Sequence, residues 1–124
     1  MGTWGVYQWF SEYGEDLIHP QDLDRFKERF LYSASNVFYC RDFFEKYIVL
    51  KYKDELFRVK PDLYKRVKMP TFDYCDYLKL KDRPGSVCQV SDIIWHFKED
   101  APKYKLIVDG KKKSKWFSES EILL

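Results

Sequence analysis

Glycine, histidine and methionine are scarce in this sequence, with five Gly, two His and two Met among 124 residues. The glycines stand apart at 2, 5, 14, 85 and 110, which excludes a glycine-rich loop that cradles phosphate. Cysteine is low and odd in number: Cys40, Cys75 and Cys88 form no close pair, so reduced thiols are expected rather than a disulfide framework or a thiolate zinc site. His19 and His96 add no ligand within metal-binding spacing of one another or of those cysteines, and neither a metal nor any cofactor is expected. No apolar run approaches the ~20 residues that cross a bilayer. The start, Met1-Gly2-Thr3-Trp4-Gly5, lacks a basic segment followed by an apolar stretch, so the expectation is a soluble cytoplasmic protein with no membrane partner. An excess of one charge is also missing. With 22 basic and 20 acidic side chains, net +2, bulk electrostatics alone would not hold a polyanion.

Catalytic signatures are equally thin. There is no Gly-x-Ser-x-Gly elbow, and pairing Cys40 with His96 requires the two halves of the chain to pack together. The acids Glu12, Glu15, Asp16, Asp22 and Asp24 cluster in sequence, but acids collect at helix starts for dipole reasons. A non-enzyme is therefore expected.

Aromatic residues are what the chain has in plenty: 10 Phe, 10 Tyr and 4 Trp, within an apolar share of 45%. That much buriable surface excludes disorder. The length suits one domain, or two small units of about 60 residues each. One stretch reads as a helix. Over residues 20–30, Leu23, Phe26 and Phe30 recur at helical spacing, Pro20 suits a first turn, and Lys27 and Arg29 lie late. From Val37 the pattern becomes that of strands, rich in β-branched and aromatic residues. Val37-Phe38-Tyr39-Cys40 opens it, and Lys53-Asp54 joins the strand 46–52 to Leu56-Phe57-Arg58-Val59 before Pro61 stops it. Tyr77-Leu78-Lys79-Leu80-Lys81 alternates, Arg83-Pro84-Gly85-Ser86 reads as a turn with Gly at positive φ, and a strand runs from Val87 to Ile94. Asp109-Gly110 is the strongest hairpin dipeptide, between Tyr104 to Val108 and Lys115-Trp116-Phe117. The expected core comprises Leu23, Phe26, Val49, Leu78, Leu80, Val90, Ile93, Tyr104, Leu106 and Val108.

The halves overlay on one another. A shift of 57 residues sets Val37-Phe38-Tyr39-Cys40-Arg41-Asp42 on Ile94-Trp95-His96-Phe97-Lys98-Glu99, and Lys46-Tyr47 on Lys103-Tyr104, which suggests two copies of one β unit. The run Leu78-Lys79-Leu80-Lys81-Asp82-Arg83-Pro84-Gly85-Ser86-Val87-Cys88-Gln89-Val90-Ser91-Asp92-Ile93 and the segments 103–110 and 115–122 resemble a bacterial SH3-like barrel. The chain as a whole resembles small uncharacterised bacterial proteins with a Trp/Tyr-rich start and a His-Pro-x-Asp-Leu helix. That resemblance implies a fold and no activity: a mainly β protein with one short N-terminal α-helix, arranged as two tandem SH3-like units over residues 1–68 and 69–124.

The leading functional expectation is a non-catalytic interaction module that binds a protein partner. Its aromatic surface is drawn from Trp95 and Trp116, each beside lysines at a strand end, with Tyr7 and Trp9 from the N-terminal segment. For each ring the competing reading is a place in the core. One alternative is nucleic-acid binding through Lys103, Lys105, Lys111, Lys112, Lys113 and Lys115, interleaved with aromatic faces, although such lysines also keep an edge strand soluble. A toxin-neutralising inhibitor is the other.

Overall fold

A computed structural model describes residues 2–31 and 35–123. The chain divides into two compact units, Met1–Met69 and Pro70–Leu124; Met1 and Leu124, the outer limits of the two expected spans, lie outside the described residues.

In the first unit β1 (Thr3–Tyr7), β2 (Val37–Phe44), β3 (Tyr47–Tyr52), β4 (Glu55–Val59) and β5 (Tyr64–Val67) form one antiparallel sheet in the order β4-β3-β2-β1-β5. The aromatic N-terminus is therefore a strand inside the sheet. β1 pairs with β2 on one side and β5 on the other. Gly5 permits this close fit, because a Cβ there would lie 2.5 Å from the Tyr64 ring and 2.6 Å from the Lys65 carbonyl oxygen. The alternation in β3 buries Ile48, Leu50 and Tyr52 and turns Val49 to the partly exposed face, one residue out of step with the core expected from sequence.

The helix α1 (Leu23–Phe30) begins three residues after Pro20. Asp22 is its N-cap, yet the side chain makes no capping bond, because both carboxylate oxygens are engaged elsewhere. The Arg58 backbone N–H and Nε donate to Oδ2 at 2.8 Å each. Arg58 Nη2 and Arg25 Nη2 donate to Oδ1 at 2.9 and 3.0 Å. This ties the start of α1 to β4. Leu23 is only partly buried, whereas Phe26 and Phe30 drive into the core. Phe26 meets Tyr7, Trp9 and Phe57 edge-on at 6.1, 5.9 and 5.5 Å. Phe30 does the same to Phe38, Tyr52 and Phe57 at 4.9, 5.0 and 5.6 Å. These are geometries that aromatic rings prefer. The chain entering α1 also covers the outer edge of β4: Ile18 bridges Val59, His19 N–H donates to the Arg58 carbonyl at 3.0 Å, and Lys60 N–H donates to the Leu17 carbonyl at 2.7 Å.

In the second unit β6 (Tyr77–Leu80), β7 (Arg83–His96), β8 (Ala101–Val108), β9 (Lys111–Ser118) and β10 (Ile122–Leu123) stand in the order β10-β6-β7-β8-β9. Asp109 and Gly110 make the β8–β9 turn at φ 49° and 80°, as that dipeptide favours. The first hairpin differs from expectation. Leu80 pairs with Arg83, so the turn is Lys81-Asp82, and Gly85 lies within β7 without positive φ. Core residues Leu78, Leu80, Val90, Ile93, Tyr104, Leu106 and Val108 are buried as expected.

The molecule is mainly β, two five-stranded antiparallel sheets and one helix among the described residues, and neither sheet closes into a barrel. The two orders are nevertheless the same, with the first strand between the last and the second, and a single 3-10 turn before the last strand (Pro61–Leu63 and Glu119–Glu121). Each second strand carries a bulge, between Cys40 and Asp42 and between Val90 and Asp92. Counted from those bulges along the ladders, Leu50 corresponds to Leu106, Ile48 to Tyr104, Tyr52 to Val108, Val59 to Phe117 and Tyr7 to Leu80. A uniform shift of 57 is thus not the correspondence. Val37 opens β2 whereas Ile94 stands near the end of β7. The offset changes because α1 follows β1 in the first unit, whereas β6 turns directly into β7 in the second.

Candidate interaction surfaces

Three of the four aromatic rings expected at a partner surface are in the core. Tyr7 is 2% exposed, Trp9 1% and Trp95 3%. Tyr7 donates its hydroxyl hydrogen to the Lys60 carbonyl at 2.6 Å, and Trp9 Nε1 donates to the Gly14 carbonyl at 3.0 Å, which satisfies the polar atoms that such rings bury. Burial pushes the Tyr7 hydroxyl pKa far up, and the Asp62 charge adds to it. Trp95 follows from the bulge between Val90 and Asp92, which resets the alternation so that Val90, Ile93 and Trp95 all face the core. A surface built from Tyr7, Trp9 and Trp95 is not available.

Trp116 is different. In β8, Pro102, Tyr104, Leu106 and Val108 are buried, so Lys103, Lys105 and Ile107 take the other face. Opposite Lys105 stand Asp92 on β7 and Trp116 on β9; opposite Lys103 stand Ile94 and Ser118; opposite Ile107 stand Gln89 and Lys112. Lys105 Nζ lies 5.0 Å from the centroid of the Trp116 ring, a cation–π contact. This open face therefore holds a partly exposed Trp, two partly exposed Ile and a cationic rim on rigid strands.

The six lysines of the alternative reading have different surroundings. Lys103 pairs with Glu99 at 3.1 Å, and Lys115 pairs with Glu121 at 2.5 Å while lying over the Phe117 ring. Lys105 is over Trp116. Lys111 and Lys112 are exposed next to the Asp109-Gly110 turn, and Lys113 is partly buried. Sequence spacing alone could not show those internal partners.

Other features went unforeseen. The buried Asp22 and its two arginines are a structural anchor. Burial opposes the ionised form, but the Arg58 and Arg25 bonds outweigh it and hold the Asp22 pKa down at about 2. At the β2–β3 hairpin Phe43 is 77% exposed and Phe44 lies under Arg58 at 5.4 Å. Shallow cavities of about 350 and 270 Å³ open on the second unit. The first is lined by Tyr77, Pro84 and Val87, the second by Leu80, Val108 and Phe117 with Arg83 and Lys113. Cys75 is exposed, while burial raises the thiol pKa of Cys40 and Cys88. Among the described residues no three His, Cys, Asp or Glu side chains converge as metal ligands would, and no helix is long and apolar enough to cross a membrane.

A family model matches residues 1–123 and so extends over both units. The chain belongs to DUF6960, a family of unknown function. Neither the curated proteins nor the solved structures include a match to it.

Proposed function

We propose that this DUF6960 protein is a cytoplasmic, non-catalytic interaction module of the bacterial SH3-like kind, which binds a protein partner through the open face of its second sheet. The observation that carries this reading is Trp116, a large ring held on the non-core face beneath Lys105, a face that also carries Ile94 and Ile107. Aromatic anchors of this sort dominate protein interfaces. The shared strand order, with a 3-10 turn before each final strand, supports the SH3-like assignment. The displaced ionisable groups support a non-catalytic role because their bonds are internal: Asp22 to Arg58 and Arg25, Tyr7 to Lys60, and Tyr104 to Glu119 at 2.9 Å. Thiols raised by burial are poor nucleophiles.

Nucleic-acid binding through the lysine hairpin is the second reading, favoured by Lys112 and Lys105 sharing the face of Trp116. It is the weaker one, since Lys103 and Lys115 already have carboxylate partners and would release few counterions. A toxin-neutralising role would be one case of the protein-binding module.

The test is a photo-crosslinking amino acid in place of Ile107, with the adduct identified by mass spectrometry and its partner purified. Trp116→Ala should then weaken binding by about 2 kcal/mol or more and leave thermal unfolding little changed. Unaltered affinity removes this face from the interface. A salt-steep affinity for RNA or DNA that falls in the Lys111→Gln, Lys112→Gln, Lys113→Gln triple variant would favour the second reading.

A further inference from the structure

The two units, laid on one another by their ladders, differ most where α1 covers the first core. In the first unit Phe57 stands opposite Leu50, and α1 closes over it with Phe26, Phe30 and the Arg25 guanidinium, 4.7 Å above the Phe57 ring. In the second unit Leu106 takes the place of Leu50. The ladder there jumps from Lys105↔Trp116 to Ile107↔Lys112, so the bulge Lys113-Ser114-Lys115 stands where Phe57 would. No helix follows β6, because the hairpin turns at Lys81-Asp82. What remains is the 270 Å³ cavity, floored by Leu80, Val108 and Phe117. Two of these three correspond to residues against which α1 packs its rings: Leu80 to Tyr7, and Val108 to Tyr52.

The rim is changed in sign. Glu55 receives Arg25 and Arg29 of α1 at 3.3 and 2.6 Å, and its counterpart in the ladder, opposite Val108 as Glu55 is opposite Tyr52, is Lys111. Arg83 and Lys113 flank the cavity and have no ion-pair partner among the described residues. Both lie near enough to Asp109 that they help to lower its carboxyl pKa, after its bonds to Val87 and Ser86. Lys115 is held by Glu121, and Asp82 is the one carboxylate among the lining residues.

We propose that this cavity is a docking groove for a short amphipathic helix of a partner protein, one that sets two large apolar side chains four residues apart, as Phe26 and Phe30 are, and carries Asp or Glu where α1 carries Arg25 and Arg29. A groove of this volume takes anchor side chains rather than a whole small ligand, for which sites run from roughly 300 Å³ upward. Helix-in-groove recognition reads such i, i+4 anchors, and the basic rim selects the acidic helix over its basic counterpart. The groove opens on the core side of the second sheet, opposite the Trp116 face, so it stands apart from the surface proposed above.

The probe is a synthetic peptide of residues 20–31 carrying Arg25→Glu and Arg29→Glu, titrated into the full chain and followed by NMR, with the unaltered peptide as comparison. The altered peptide is expected to move the resonances of Leu80, Val108 and Phe117 and to bind about tenfold more tightly than the unaltered one. Lys113→Glu in the chain should cancel that preference. Ser114→Trp, an exposed residue at the mouth, should fill the groove and abolish the shifts while thermal unfolding is retained. Absence of shifts at those three residues, equal affinity of the two peptides, or binding that survives Ser114→Trp would overturn the proposal. So would shifts confined to Phe38, Tyr52 and Phe57, which would mean that the peptide displaces α1 from the first unit. A negative result leaves the Trp116 face untouched, since that test reads a different face.

Discussion

The two sheets have one strand order and two ways of filling it. The first unit gains a helix between its first and second strands and a cluster of rings with it: Tyr7, Trp9, Phe26, Phe30, Phe38 and Phe57 are all buried, beside aliphatic residues such as Ile48 and Leu50. The second turns at once and is mainly aliphatic, with Leu78, Leu80, Val90, Ile93, Leu106 and Val108 around Tyr104. A sheet of this size has little core of its own. The comparison teaches that an insertion at the first hairpin, rather than a change of strand order, decides whether the mouth of the sheet is shut.

Removing the ring at the centre of the helix contact is the most direct way to break the contrast. Phe26→Ala should destabilise the first unit by about 3–5 kcal/mol, read as loss of hydrogen-exchange protection in β1 to β5 with β6 to β10 less affected. Equal loss in both units would show that their stabilities are not separable. The second test sharpens the register. Leu106→Ala should cost about 2–5 kcal/mol as a buried truncation, whereas Val49→Ala, on the partly exposed face of β3, should cost about 1 kcal/mol or less. Chemical denaturation of the two variants checks it, and similar losses would refute the correspondence of Leu50, rather than Val49, with Leu106.

The smallest effect concerns the anchor that only the first unit has. Asp22 is ionised down to a pKa of about 2, below its ordinary 3.8. A depressed carboxylate pKa gives stability that is complete above the unfolded value and is lost as pH falls from about 5 toward 2. The amount is about 2 kcal/mol. Asp22→Asn should therefore lower stability at neutral pH and flatten the acid limb of the first unit's stability curve, as followed by tryptophan fluorescence across pH. An unchanged acid limb would assign that limb to other carboxylates.

Much of this was legible before the structure. Asp109-Gly110 specifies its hairpin, Lys53-Asp54 specifies another, and the spacing of Phe26 and Phe30 specifies the buried side of a helix. The failures have physical causes. Trp4 to Tyr7 has no alternation, because a central strand is buried on both faces and reads like any apolar run. Bulges in β2, β7 and β9 reset the phase of those strands without a local mark in the sequence, which concealed that Trp95 points inward, while Val49 was misassigned because Ile48-Val49-Leu50 is an apolar run from which no phase can be read. Pro84-Gly85 resembles a turn, but the tighter Lys81-Asp82 reversal comes first. Trp95 and Trp116 read alike, each as a strand-end ring beside lysines, and only the fold separates the buried one from the partly exposed one. The Asp22–Arg58 anchor joins groups 36 residues apart, and no local pattern reports such a pair.

The strand order has a consequence for how the protein is made. Each sheet takes all five strands from an unbroken length of chain, the first ending at Val67 and the second starting at Tyr77. In each, the strand synthesised first is completed on its far side by the strand synthesised last, Tyr7 with Tyr64 and Leu80 with Ile122. On the ribosome the first sheet can therefore reach its full hydrogen-bonded form while β6 to β10 are still being translated, since it borrows nothing from them. The second sheet waits for Ile122 and Leu123, so β6 keeps an unpaired edge until both have left the ribosomal tunnel.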